Sequence, residues 1–565
     1  MRNRLIMLAV LSAAGAAWYL ALPPRALVIP DTPGGLAAPV RGAIHVHSDR
    51  SDGTGTLDEI AAAAARAGLT FVVLTDHGDA TREPPHPEYR SGVLCIEAVE
   101  ISTENGHVVA LGLGQSPYPL AGEARDVVED IARMGGFSIA AHPGSRKPEL
   151  QWTAWETPVD GLEWINGDSE WRDESAWSLA RVLFTYPGRK PEVLATLLDR
   201  PAPILTRWDA LTRERRVVAV AAADAHARLG LRSLGEPYEN SGYLPVPSYE
   251  QVFRTFSIAL PHVALTGNPA EDAAQIIGAI RGGNVYSTID AVAGPGAMVF
   301  TGTSGGARAL AGDVLPLAGS VTLRVETRAP ADARIDLLKD GAPIATRGGA
   351  LLEHVTSEAG VYRVEVSLPG APGQPPVPWM VSNPIYVGRQ ARNASPADTR
   401  PPAREFASRY SNGAATGWTV EMSPASAAAL DVAPAVGGTQ LSLRYALGGT
   451  ASESPFVAVA MQAGAALKDY DRLVFTARAD RPTRISVQLR VPGGEEGERW
   501  HRSVFLDEDA KPITVRFDDL RPRGSTSRAR PVLSDVQSVL FVIDSVNSEL
   551  GRSGRIWIDD VKYGR

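Results

Sequence analysis

The sequence predicts a multidomain protein: an α/β barrel followed by two all-β sandwich domains. Three observations carry this reading. From Arg41 to about residue 295, strand-like and helix-like segments alternate, the pattern of repeated β–α units on a parallel sheet or barrel. Over 296–389 the helical period vanishes and short alternating strands take its place, as in a small immunoglobulin-like sandwich. Over 405–565 a second series of alternating strands has the count and spacing of a jelly-roll sandwich. At 565 residues the chain exceeds what one hydrophobic core accommodates, in keeping with this division.

The N-terminus comes first. Arg2 and Arg4 precede an apolar run from Leu5 to Leu22 that Pro23-Pro24 closes. A cationic start and an apolar stretch of bilayer length make residues 1–30 a signal peptide or an uncleaved membrane anchor. The anchor is preferred, since no small-x-small cleavage signal follows. Both readings export the protein from the cytoplasm, to the periplasm or to an outward-facing membrane position. Residues 31–40 read as a linker, and 390–404, rich in Pro and Arg, as another.

Within 41–295 the elements follow in order. Ile44 to His47 is strand-like. Thr56-Leu57-Asp58-Glu59 is a capping box that opens an Ala-rich helix, and Gly68 closes it. Phe71–Thr75, Val93–Ile101 and His107–Leu113 read as strands. Asp126–Met134 is a helix stopped by Gly135-Gly136, and Phe137–Ala141 is a strand leading into His142. Strands at Val159–Ile165 and Val217–Ala223 continue the series. Ser169–Arg216 is helical and carries several Trp, read as packing over or beside a site. Ala273–Arg281 is a helix before a last turn and strand at 282–288. In the sandwiches, Lys339-Asp340-Gly341 is a hairpin turn.

A net charge of −8 removes the electrostatic case for a nucleic-acid scaffold. Acidic substrates would be drawn in by metal ions, not by a basic surface. The single cysteine, Cys95, lies in the apolar run Val93-Leu94-Cys95-Ile96 and excludes an internal disulfide framework. It reads as a buried, inert thiol.

The chemistry is concentrated in a few short clusters. In a strand, residues i and i+2 share a face, so His45-Val46-His47 and Asp224-Ala225-His226 each aim two metal ligands into one space. Asp52, His77, Glu100, His107 and His142 complete a set of six His, two Asp and one Glu, repeatedly at the C-terminal ends of expected strands, where α/β barrels carry their sites. Nine ligands without cysteine suit two or three divalent ions such as Mn, Zn or Fe. Asp76 is expected to orient a ligand or assist the leaving group, and His226 to act in catalysis as well as ligation. Glu97 falls on the opposite strand face from Glu100. Arg146, Lys147, Asn166 and Arg228 are candidates for contacting a substrate anion. His86, His262, His354 and His501 are set aside as ordinary core or surface residues.

In order along the chain, His45-Val46-His47-Ser48 with Ser51-Asp52-Gly53, Thr75-Asp76-His77, Glu100-Ile101-Ser102 with Gly106-His107, Ala141-His142-Pro143-Gly144 and Asp224-Ala225-His226 resemble the five motifs of the polymerase and histidinol phosphatase (PHP) domain. The resemblance covers roughly residues 41–295. It implies a distorted (β/α)7 barrel and phosphoester hydrolysis in which a metal-bridging hydroxide attacks phosphorus. One ion is expected on His45, His47, Glu100 and Asp224, and the others on Asp52, His77, His107, His142 and His226. Ala279–Tyr286 is similar to a branch of carbaryl-hydrolase-like enzymes, which leaves open a carbamate, amide or carboxylic-ester hydrolase. Arg555–Val561 faintly resembles a strand of carbohydrate-binding modules, so glycan or cell-envelope contact through the C-terminal domain, or a wholly non-enzymatic envelope-binding protein, is a further alternative. The partners expected are a small-molecule or polymeric phosphoester, a glycan and, through the N-terminus, the membrane.

Overall fold

In a computed structural model, residues 2–30, 35–230, 243–389, 400–493 and 497–565 are described. Parts of both expected linkers, 31–34 and 390–399, lie outside the described residues. The chain divides into two compact units: Met1–Gly78 with Pro84–Gly114 and Glu123–Ser395, and Pro396–Arg565 with Asp79–Glu83 and Gln115–Gly122.

The first unit opens with helix α1 (Arg2–Ala21), one helix long and apolar enough to cross a membrane by length and composition. Then come β1 (Val40–Val46), α2 (Leu57–Arg66), β2 (Phe71–Leu74), β3 (Val93–Glu97), β4 (Val99–Thr103), β5 (Gly106–Leu111), α3 (Ala124–Arg133), β6 (Phe137–Ala140) and β7 (Gly161–Asn166). Helices α4 (Ala176–Thr185) and α5 (Ala202–Glu214) precede β8 (Val218–Ala222), α6 (Tyr249–Phe253), β9 (Ser257–Leu260), α7 (Pro269–Gly282) and β10 (Tyr286–Thr288). The α2 capping box forms as expected: Thr56 accepts from the Glu59 backbone and Glu59 reaches back to the Thr56 amide.

Hydrogen bonds close β1, β2 and β4–β8 into a ring, while β9 pairs antiparallel with β1 and β10 with β9. β1 and β2 pair in parallel, as do β6, β7 and β8. At the seam between β8 and β1, Ala223 N–H donates to Ile44 at 2.8 Å and His47 N–H donates to Ala225 at 3.0 Å. On the other side Ala98 N–H donates to Leu74 at 2.8 Å and Gly78 N–H to Glu100 at 3.1 Å, joining β2 to β4.

Two sequence expectations change. Val93–Ile101 is not one strand: it breaks at Ala98, where the chain leaves the sheet of β2 and joins that of β5. The series is also not uniformly parallel, because β5 runs antiparallel to both β4 and β6, and β9 to both β1 and β10. The turn at Glu104-Asn105, with Gly106 at φ 106°, is far too short for a helical crossover, and so tight a connection makes a hairpin. An antiparallel strand offers its N-terminal end to the rim where its neighbours end, so His107 reaches the same place as the other ligands.

Beyond residue 295, β11 (Ala297–Ser304), β12 (Val321–Arg328) and β14 (Leu351–Thr356) form one face of a sandwich; β13 (Arg334–Lys339), β15 (Gly360–Ser367), β16 (Met380–Ser382) and β17 (Ile385–Val387) form the other. This sandwich is no separate body. β16 pairs antiparallel with β10, Tyr286 opposite Ser382 and Thr288 opposite Met380, so the barrel sheet runs on into it. Asn383 ties the two further, accepting from Ala219 N–H at 2.8 Å and donating to the Ala219 and Val285 carbonyls at 2.9 Å. Buried Arg363 on β15 grips Asp209 on α5 with two bonds of 2.6 and 2.8 Å. The second unit is a sandwich of two six-stranded sheets around a core that includes Trp418, Phe475, Trp500 and Phe541. In its last strand Ile556, Ile558 and Val561 are buried. Trp557 faces outward beneath Arg478, whose guanidinium lies 3.6 Å from the ring centroid.

Candidate metal centre

The two strand ends that carry the paired ligands do not follow plain alternation. At His45 the β1–β2 register slips between Ile44 and Val46, a bulge, and His45 adopts φ 65°. His142 (φ 31°) and Asp224 (φ 45°) also sit in the left-handed region, which costs a non-glycine residue on the order of 1 kcal/mol or more. The seam hydrogen bonds hold this strain in place, since Ala225 N–H donates to the His45 carbonyl at 3.2 Å. The expectation of a shared face survives by a different route: the bulge turns both His45 and His47 inward while Val46 packs into the core beside α2.

Glu100 is the hub. Its Oε2 lies 3.1 Å from His45 Nε2, 3.2 Å from His47 Nε2 and 3.4 Å from His77 Nδ1. Its Oε1 lies 2.8 Å from both His107 Nδ1 and His142 Nε2. Asp224 Oδ1 is 3.4 Å from the Nε2 atoms of His45 and His47. Asp52 stands 3.3 Å from His47 Nδ1 and 3.2 Å from His226 Nε2. All nine residues fall into four overlapping groups whose ligand atoms lie within 4.8 Å of one another: His47, Asp52, His77 and His226; His45, His47 and Asp224; His45, Glu100 and His142; His77, Glu100 and His107. His107 and His142 thus group with Glu100 and not with Asp52, unlike the expected division among ions.

The hydrogen bonds test whether these residues fit a cation. A carbonyl oxygen can only accept, so His142 Nδ1, 2.9 Å from the Leu150 carbonyl, carries a hydrogen, and so does His226 Nδ1, 2.9 Å from the Asp224 carbonyl. His45 Nδ1 is held the same way by Glu163 Oε1 at 2.6 Å. In each neutral ring the Nε2 lone pair therefore faces a carboxylate oxygen, acceptor against acceptor. A second proton on every ring would relieve this only by crowding imidazolium charges together, since His47 stacks on His226 at 4.2 Å and lies 4.7 Å from His77. Shared divalent cations relieve all of these contacts at once, and imidazoles held at Nδ1 by acceptors are how proteins present Nε2 to metals. Among the described residues, buried His47 Nε2 and Asp52 Oδ1 also have no hydrogen-bond partner.

The charges agree. Burial works against a charge on His45, but Asp224, Glu163 and Glu100 outweigh it and raise the ring well above its usual value. The same contest lifts His47 to about 10. Burial also opposes ionisation of Glu100 and Asp224, and the surrounding imidazoles overcome it and hold both carboxyls well below the usual range. His77 goes the other way, pushed down to about 4 by burial.

No protein-family model matches the chain, and no curated protein matches it significantly. Among solved structures, a family 11 carbohydrate-binding module of a cellulosomal cellulase of Clostridium thermocellum is similar at 15% identity, over 29% of this chain and 97% of that one, with a TM-score of 0.25. A family 30 module of another cellulosomal cellulase of the same organism is similar at 12% identity, over 28% of this chain and 96% of that one, with a TM-score of 0.22. At such scores the likeness says nothing of what this chain binds.

The remaining candidates separate clearly. Asp76 lies behind the ligands: its carboxylate accepts from Ser48 N–H (2.7 Å), Ser48 Oγ (2.7 Å), Ser51 Oγ (2.6 Å) and Arg50 Nε (3.1 Å). Burial opposes its charge, but these bonds hold the carboxyl below its usual value, and it shapes the 48–52 loop. Asn166 is also engaged within the protein, donating to Glu163 at 2.8 Å and accepting from the Asp168 and Ser169 amides. Arg146 is exposed, 3.9 Å from Asp173, and Lys147 is half-buried in the same loop. Of the candidate cations Arg146, Lys147 and Arg228, it is Arg228 that reaches the centre, 2.9 Å from Asp52 Oδ2. Glu97 pairs with Arg50 at 2.7 Å, on the face away from Glu100. Trp152 and Trp164 are core residues, whereas Trp177 is exposed.

Two residues escaped the sequence reading. Glu163 on β7 is almost fully buried and bonds His45, the His142 amide at 2.6 Å and Asn166. Its signal was a lone carboxylate in the apolar strand Gly161-Leu162-Glu163-Trp164-Ile165. Tyr249 on α6 donates its hydroxyl to the His47 carbonyl at 2.7 Å and accepts from the Thr54 and Gly55 amides. Nothing local in the sequence marks it.

Proposed function

We propose that the chain is a metal-dependent hydrolase of the PHP kind that cleaves phosphoesters outside the cytoplasm. The observation that carries the reading is the set of imidazoles locked at Nδ1, His45, His142 and His226, whose Nε2 atoms converge on Glu100, Asp224 and Asp52. Divalent ions held by these residues would supply Lewis acidity toward a phosphoryl oxygen and would acidify a water near neutral pH. The chain's own residues do the rest. Glu163 and the Leu150 carbonyl fix His45 and His142, so the ligand field is set before substrate arrives. Arg228 stands at Asp52 beside His226, placed to receive an anionic substrate oxygen. His226 is the most exposed of the six imidazoles, at 17%, and so is the candidate ligand most open to solvent and substrate. Export is supported by α1.

Metal analysis of the purified full chain, joined to a panel of phosphomonoesters, phosphodiesters, aryl esters and carbamates, tests the reading. At least two ions per chain and phosphoester turnover that His142→Ala abolishes are expected. Fewer than two ions in a metal-replete preparation rejects a polynuclear centre. Turnover of carbamates or aryl esters alone transfers the site to that class. Glycan binding without hydrolysis of any substrate favours the non-enzymatic alternative.

A further inference from the structure

Helix α4 is inside out. Of its ten residues only Thr185 is buried, while Trp177, Leu183 and Phe184 are 81%, 62% and 58% exposed. Trp177 and Phe184 lie seven residues apart, two helical turns, and so share a face with Ala180 between them. A helix on a water-facing surface turns its largest apolar side chains inward, and a cluster of them outward marks a surface that meets something apolar.

The neighbouring element says what that is. α1 is exposed along its whole apolar length, and its C-terminal end is fastened to α4. Trp18 Nε1 donates to the Phe184 carbonyl at 3.0 Å. Arg189, just past α4, donates to the Pro23 carbonyl and lies 5.6 Å over the Tyr19 ring. The chain thus leaves the apolar run beside the exposed end of α4. Trp and Tyr concentrate at membrane–water boundaries, and exposed Arg25, Arg181 and Lys190 around this junction suit lipid phosphates.

We propose that α4 beds into the membrane–water interface beside α1, with Trp177, Leu183 and Phe184 at the acyl boundary. The occupant of this face is a lipid bilayer surface. The proposal rests on α1 being retained as an anchor. One spanning helix leaves the catalytic unit free to swing about its tether. A second contact fixes which side of the barrel faces the lipid.

Full-length protein in vesicles of phosphatidylcholine and phosphatidylglycerol tests it, with an environment-sensitive fluorophore on single introduced cysteines: Leu11→Cys, Trp177→Cys, Phe184→Cys and, as an exposed site on the sandwich, Val355→Cys. Cys95 is buried, its thiol pushed up to about 12 by that burial, and stays unlabelled. Probes at 177 and 184 are expected to be quenched severalfold more than at 355 by lipids carrying a nitroxide high on the acyl chain, and to be shielded from aqueous iodide. Equal iodide access at 177, 184 and 355 overturns the proposal. So does shielding from iodide without lipid quenching, the pattern of a protein partner or a second copy. An unquenched probe at 11 shows that the anchor reading itself has failed; a quenched probe at 11 with unquenched probes at 177 and 184 sinks the α4 contact alone.

Discussion

Glu163 Oε1 lies 2.6 Å from His45 Nδ1, while the other oxygen of the same carboxylate takes the His142 amide at 2.6 Å. One buried side chain thereby sets the tautomer of one candidate ligand and the backbone of another. In Glu163→Gln an amide NH2 must face one of these donors. Partners behind metal ligands typically govern affinity by tenfold to a hundredfold. Metal affinity measured against a competing chelator is expected to fall by that order, with the melting curve of the metal-free protein little changed. An unchanged affinity would remove Glu163 from the centre.

Arg228 places a guanidinium beside Asp52 at the edge of the ligand cluster. Its loss in Arg228→Ala should raise KM for anionic phosphoesters by roughly tenfold to a hundredfold, the worth of a charge-assisted hydrogen bond. Any hydrolysis of a neutral carboxylic ester should be nearly indifferent. Steady-state kinetics on the two substrate types checks the split.

Arg363 and Asp209 join the sandwich to α5 through a two-pronged ion pair, with Glu365 at 2.6 Å on the same guanidinium. Truncating one partner leaves the other charged and buried, at a cost of about 3–5 kcal/mol. Arg363→Ala should lower the midpoint of denaturant unfolding accordingly. The double substitution Arg363→Met with Asp209→Leu should recover much of it.

Acid should act on the same cluster. Burial opposes ionisation of Glu365, but Arg200 and Arg363 outweigh it and hold its carboxyl below the ordinary 4.5. A depressed carboxyl contributes stability that is complete above pH about 4.5 and is lost as pH falls through its folded value. The difference in melting temperature between the native chain and Glu365→Gln should be constant above that pH and shrink below it. A difference that grows toward acid would contradict the assignment.

How much of this was legible in the sequence depends on range. All nine candidate ligands were visible because each sits in a short cluster of metal-binding residue types, and the structure draws all nine together. The α2 capping box was visible because its partners are three residues apart. The bulge at His45 was not, since it answers to hydrogen bonds from Ala225 across the seam, 180 positions along the chain from His45. The reversal of β5 was hidden behind an expectation of helical crossovers, although the short turn before Gly106 implied it. Tyr249 and the Arg363–Asp209 pair depend on partners more than 150 residues away, and no local pattern encodes them.

The junction of β10 with β16 bears on how such a chain can be cut or recombined. Domains that shuffle freely meet through side chains, and each keeps its own backbone bonds. Here β10, the last strand before the sandwich, completes its ladder on Ser382, Val381 and Met380. A chain ending near residue 295 would leave Tyr286–Thr288 with an open row of amides and carbonyls, a template for pairing with other chains. The strands before residue 295 and the sandwich after them are therefore best expressed, truncated or transplanted together.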